Sequence, residues 1–119
     1  MAQHNKLGRQ GEEEAVGYLI RSGYHILARN WRFHRYEIDI MAERDGVLAV
    51  IEVKTRRNDY FTSPEESVSD AKIRHISICA DAYIRMYKLD LPVRFDIISV
   101  LGTEPPFRID HIENAFYPR

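Results

Sequence analysis

The sequence predicts a mixed α/β fold, with helices packed on a sheet of both parallel and antiparallel strands. Three observations lead there. Two long segments, 3–22 and 63–88, place apolar residues at helical spacing. The run Val47–Arg56 is dense in Val and Ile. The order of elements is helix, three strands, helix, two strands. Short turns join the first three strands, which makes an antiparallel meander. A strand, a helix and a strand in succession imply a right-handed crossover and a parallel pair.

Each element has a local reason. In residues 3–22, Leu7, Ala15, Leu19 and Ile20 recur at helical spacing, and Gly23 supplies the stop. Residues 24–33 (YHILARNWRF) follow as a strand. His34-Arg35-Tyr36 connects into a second strand, Glu37–Glu43. Arg44-Asp45-Gly46 is a hairpin turn between two apolar runs. The third strand, Val47–Arg56, is expected to be central. Ser63-Pro64-Glu65-Glu66 then reads as a helix start: a capping Ser, Pro at the first helical position and a Glu that completes a capping box. Val68, Ile73, Ile76, Cys79, Ala80, Tyr83, Ile84 and Tyr87 form that helix's apolar face. Val93–Leu101 is a fourth strand. Phe107–Ile112 is a fifth, reached through Pro105-Pro106.

Length and composition narrow the function classes. A chain of 119 residues is one domain, residues 1–119. It buries roughly two-thirds of its unfolded surface and needs no covalent staple. The single cysteine, Cys79, excludes an internal disulfide framework and a cysteine-rich zinc site. It falls on an apolar helix face and reads as core. No apolar run is long enough to span a bilayer, and the opening Met-Ala-Gln-His-Asn-Lys carries no signal segment. A cytoplasmic protein without membrane contact is expected. The net charge of −1 gives no overall basic footprint. Even so, 13 of the 17 basic residues are Arg, the side chain whose planar fork suits phosphate.

The informative stretch is Glu37-Ile38-Asp39-Ile40 followed by Glu52-Val53-Lys54. Strand side chains alternate faces, so Glu52 and Lys54 share one. Pairing through the Arg44–Gly46 turn brings Asp39 close to Glu52. Ile38, Ile40, Ile51 and Val53 are expected to pack together on the other side. Two adjacent carboxylates repel unless a cation sits between them. Lys54 can fill that role, as in a plain cross-strand ion pair. Mg²⁺ can also, since it accepts one or two carboxylates plus waters and substrate phosphate. The residues leave both readings open. A similar triplet, Asp70-Ala71-Lys72, lies in a helix, where residues two apart do not face each other.

Glu12 shares a stripe of small residues with Gly8 and Ala15, where another element can approach closely. It equally suits the helix-dipole preference for acids near an N-terminus. Arg56, Arg57 and Lys72 are candidates to flank a phosphate path. So are Arg29, Arg32 and Arg35, interleaved with Trp31, Phe33 and Tyr36. The histidines show no metal-ligand spacing, and His34 and His75 read as surface residues. Gly8-Arg9-Gln10-Gly11 lies inside a helix and fails the phosphate-loop context.

The sequence resembles the YraN-like family of predicted endonucleases. The matching pieces are Gly8-x-x-Gly11-Glu12-x-x-Ala15, Ala28-Arg29-Asn30-Trp31-Arg32, Glu37-Ile38-Asp39 and Glu52-Val53-Lys54-Thr55-Arg56. Ser63-Pro64-Glu65 with Val68 and Lys72, Arg94-Phe95-Asp96 and His111-Ile112-Glu113-Asn114-Ala115-Phe116 complete the set. The family is distantly similar to archaeal Holliday-junction resolvases and to PD-(D/E)XK nucleases. The resemblance implies a restriction-endonuclease-like αβββαβ core. It implies metal binding by Asp39, Glu52 and the Val53 carbonyl, with Lys54 as the catalytic Lys and Glu12 as a supporting acid. Ile38 stands where that motif's Pro would be, and Tyr36 where the family usually has Gly.

The function implied is hydrolysis of phosphodiester bonds in structured or branched DNA, with Mg²⁺ or Mn²⁺ as cofactor. Arg32, Arg56, Arg57 and Lys72 are the expected nucleic-acid contacts, and a two-fold homodimer the expected assembly. The alternative is a catalytically inactive nucleic-acid-binding or interaction module on the same fold.

Overall fold

The computed structural model describes residues 6–58 and 68–118. Its elements are α1 (Lys6–Arg21), β1 (His25–Phe33), β2 (Tyr36–Arg44), β3 (Val47–Arg56), α2 (Asp70–Tyr87), β4 (Val93–Leu101) and β5 (Arg108–Ile112). One five-stranded sheet runs β1-β2-β3-β4-β5. β1 to β3 are antiparallel, β3 and β4 are parallel, and β4 and β5 are antiparallel. This is the mixed sheet of a restriction-endonuclease-like α/β core. β3 is its central strand, as its apolar run predicts.

The helices lie on opposite faces. Ala15 and Leu19 of α1 pack with Ile40, Ala42, Ala49, Ile51, Ile98 and Val100. Ile73, Ile76, Cys79, Ala80 and Tyr83 of α2 pack with Ile38, Met41, Leu48, Val50, Phe95 and Ile97. Alternation along β3 and β4 explains the division: neighbouring residues such as Val50 and Ile51, or Ile97 and Ile98, serve different helices. Cys79 is fully buried, and burial pushes its thiol up to about 11, so it is an inert core residue.

Two turns follow from local chemistry. Asp45 and Gly46 both take positive φ, 54° and 75°, the pair a two-residue hairpin requires. His34 and Arg35 alone join β1 to β2, so Tyr36 belongs to β2, paired with Phe33, rather than to the connection.

The structure corrects two further expectations. The second helix begins at Asp70, capped by the Ser69 side chain, which accepts from Lys72 N–H at 3.1 Å. The Ser63–Glu66 start lies outside the described residues. Val68 and Ser69 are not helical, so the helix does not run back to 63. Ile38 also does not share a face with Ile40. It packs under α2, while Ile40, Ile51 and Val53 pack under α1. The alternation of β2 therefore breaks at Asp39.

Candidate metal and phosphodiester site

The site begins with β3. Leu48 and Val50 face α2, so the same period carries Glu52 and Lys54 to that face. Glu52 is only 5% exposed. A buried carboxylate needs neutralising partners, and two ammonium groups supply them. Lys54 Nζ is 3.5 Å and Lys72 Nζ 3.6 Å from Glu52 Oε2. Lys72 lies in the first turn of α2, and the Ser69 cap fixes where that turn starts. The residue expected on a phosphate path is thus held against a carboxylate at the centre of the cluster.

Asp39 comes next. The β2–β3 ladder is paired from Arg44–Val47 up to Ile40–Ile51. One step on, at the break in alternation, Asp39 stands opposite Glu52. The strands no longer pair there, and Asp39 Oδ2 accepts the Val53 N–H at 2.8 Å. The carboxyl's pKa is raised well above the ordinary value, first by burial, then by repulsion from Glu52 and more weakly from Glu12. The Val53 N–H and Lys72 oppose that rise without cancelling it.

Glu12 reaches the neighbourhood from the other face. It is buried in α1 beside Gly11. Gly11 is pressed against the Thr55 side chain of β3, and a Cβ there would collide with it. The missing side chain lets α1 lie low enough on β3 for Glu12 to act on Asp39. The structure thus groups Glu12, Asp39, Glu52, Lys54 and Lys72, drawn from four elements.

The donor set fits a hard divalent cation. Glu52 Oε1 is buried without a hydrogen-bond partner, whereas both lysines are placed on Oε2. An orphaned carboxylate oxygen beside a second, electrostatically strained carboxyl is a pairing that a dication relieves. Among the described residues, no group of three or more His, Cys, Asp or Glu side chains is close enough to hold an ion alone. Asp39 and Glu52 would therefore hold Mg²⁺ with waters, substrate phosphate and the Val53 carbonyl, as this ion prefers.

The Arg candidates divide. Arg32 on β1 and Arg57 beyond β3 are exposed, and Arg56 is half-buried at the end of β3. Arg57 lines a cavity of about 390 Å³ with Lys6, Gln10 and Glu104, and neither Asp39 nor Glu52 is part of that lining. Arg29 pairs with Glu13 at 2.8 Å. His75 is half-buried, not a free surface residue: its ring stacks on Tyr36.

Two features escaped the sequence reading. Asn30 takes φ 51° between the pairs Arg29–Ile40 and Trp31–Ile38, so it stands opposite Asp39, with its Oδ1 buried and unpartnered. A polar Asn inside the run YHILARNWRF was its one signal. The second is a polar network behind the sheet. Asp96 is fully buried and takes three bonds from Arg94, one from the Asn114 N–H and one from His111 Nε2 at 2.8 Å. Tyr18 joins through His111 Nδ1 at 3.0 Å. An Asp within the apolar strand Val93–Leu101 was the visible hint.

Among the described residues no helix is long and apolar enough to cross a membrane. Residues 11–100 match the uncharacterised protein family UPF0102. A UPF0102 protein of Phocaeicola vulgatus is 56% identical over 99% of this chain and 98% of its own length. One from Parabacteroides distasonis is 52% identical over 98% of this chain and 97% of its own. A more distant one, from Flavobacterium psychrophilum, is 44% identical over 98% of both chains. With a family match across most of the sequence and relatives of this identity along its length, the chain belongs to the uncharacterised protein family UPF0102.

Proposed function

We propose that the chain is a divalent-metal-dependent endonuclease that hydrolyses phosphodiester bonds in structured or branched DNA. One observation carries the reading: Glu52 Oε1 is buried and unpartnered beside Asp39, while two lysines crowd the other oxygen of the same carboxylate. Asp39 and Glu52 would hold Mg²⁺ or Mn²⁺. When bound, such an ion polarises a phosphoryl oxygen and lowers the pKa of a coordinated water.

The chain's own residues supply the rest. The Lys54 ammonium, 3.5 Å from Glu52 Oε2 on a side chain 26% exposed, can hydrogen-bond an attacking water or developing negative charge. Lys72, 41% exposed and fixed by a helix start, adds positive charge for a phosphate. The Val53 N–H holds Asp39 Oδ2 in place and leaves Oδ1 for other partners. Glu12 raises the negative potential around Asp39 and so favours a dication there.

The rival reading is a binding module without catalysis. It is favoured by the same two lysines, which already neutralise Glu52 in place. Cleavage assays on linear, forked and four-way DNA with Mg²⁺ or Mn²⁺ separate the two. A nuclease loses cleavage but keeps DNA binding in Glu52→Gln and Lys54→Ala. A binding module cleaves none of these substrates with either metal.

A further inference from the structure

We propose that Tyr36 and His75 form a stacking platform for an unpaired nucleobase beside the bound phosphodiester, so that the preferred DNA has unstacked nucleotides at the site. The location rests on the nuclease reading of Asp39 and Glu52; the platform itself rests on separate residues.

Two elements that build the acid cluster each carry one ring of the pair. Tyr36 is three residues before Asp39 on β2, about 10 Å along the strand. His75 is three residues after Lys72 on α2, about 4.5 Å along the helix and on the same side. Lys72 in turn touches Glu52. The rings meet with centroids 4.4 Å apart and planes 16° from parallel.

That flat geometry sets the pair apart from the core aromatics. Trp31 on Tyr83 and Tyr18 on His111 pack edge to face, at 87° and 86°. Phe95 on Phe116 and Tyr83 on Tyr87 are tilted, at 43° and 47°. Tyr36 and His75 are half-buried; Tyr36 packs against the core from its margin, and the Arg35 guanidinium lies over the Tyr36 ring, 5.7 Å from its centroid. Unpaired bases stack on aromatic rings and on Arg guanidinium planes, so a base can take the place of the Arg35 guanidinium over this pair or stack on it. Intact duplex offers its grooves only base edges, so its base faces cannot use such a platform. A phosphate paired with the Lys72 ammonium puts the base of an adjacent, unpaired nucleotide within reach of these rings.

The test measures DNA binding without divalent metal, by fluorescence anisotropy, with single-stranded, forked and fully paired oligonucleotides. Tyr36→Leu should weaken binding to the single-stranded and forked DNA about tenfold, the worth of one stacked base. Tyr36→Phe should stay within about twofold, because the ring is kept. Duplex binding should not change. Equal affinity of wild type and Tyr36→Leu for single strands, or an equal loss on duplex, overturns the proposal.

A melting curve checks that the variant folds. If it does not, His75→Leu and a second readout decide: 2-aminopurine in a single strand should change emission on wild-type protein, and an unchanged signal overturns the platform. No cleavage or metal enters these measurements. Absent metal binding with intact stacking refutes the nuclease reading alone, and lost stacking with intact metal binding refutes the platform alone.

Discussion

Lys72 Nζ of α2 lies 3.6 Å from Glu52 Oε2 of β3, the same oxygen that Lys54 approaches to 3.5 Å. The buried acid therefore leans on two ammonium groups from two elements. Either one alone keeps Glu52 neutralised, and both are partly solvated. Lys54→Ala or Lys72→Ala should each cost about 1 kcal/mol or less. The double variant leaves an uncompensated buried charge and should cost about 3 kcal/mol, more than the sum. Adding Glu52→Gln should recover most of that loss. Denaturant unfolding of the four variants measures the coupling.

Asp39 carries the opposite burden. Its folded pKa is raised, first by burial and then by Glu52 and Glu12. The fold thus favours the protonated form. That contribution is fully present below the unfolded value of about 3.9 and is lost as pH rises. Asp39→Asn keeps an oxygen for the Val53 N–H and sheds the charge. At pH 7 it should melt several degrees above the metal-free wild type, about 3–6 °C for each kcal/mol regained in a domain of this size. The gap should close as pH falls toward 4. Paired thermal melts across pH check this.

Asp96 has the reverse sign. Burial alone would raise its pKa, but His111, Arg94 and the Asn114 N–H outweigh that and lower it. A lowered carboxyl stabilises the fold above the unfolded pKa of about 3.9 and loses that contribution as pH falls through the folded value. Asp96→Asn should cost about 1.5–3 kcal/mol at pH 7, because the half-buried Arg94 loses its bidentate carboxylate and keeps only Glu113, at 3.8 Å, and the Tyr24 hydroxyl. Its stability should also depend less on pH in the acid range. Urea unfolding at neutral and acid pH measures both.

Gly11→Ala should cost about 1–3 kcal/mol by driving a methyl into the Thr55 side chain. Thr55→Ala should restore part of it. Because the clash lifts α1 from β3, it should also move Glu12 away from Asp39. In spectra of the carboxyl carbons, the Asp39 pKa should fall in Gly11→Ala relative to wild type.

Most of the architecture was legible because each element carries its own local signal. The apolar run of β3, the Asp45-Gly46 turn and the helical spacing of Ile73, Ile76 and Ala80 depend on near neighbours alone. The α2 start was not legible. Ser63-Pro64-Glu65-Glu66 and Ser69 both satisfy capping chemistry, and only the fold shows Ser69 capping the helix. Asp39 and Glu52 were legible as a pair, since one hairpin turn sets their register. The split of Ile38 from Ile40 was not, because strict alternation hides an irregularity that spans Asn30 on the neighbouring strand. Lys72 on Glu52 and Tyr36 on His75 were invisible for another reason. Both are contacts between a strand and a helix whose rotation about its own axis no spacing rule fixes.

Asp39 and Glu52 are proposed to form a divalent-cation site. Calorimetric titration of Mg²⁺ and Mn²⁺ into wild type and Asp39→Asn is the decisive measurement. The wild type should bind a divalent ion, and Asp39→Asn, though folded and more heat-stable, should not. Absence of binding to the wild type, even with DNA present, or equal binding to both proteins, would contradict it.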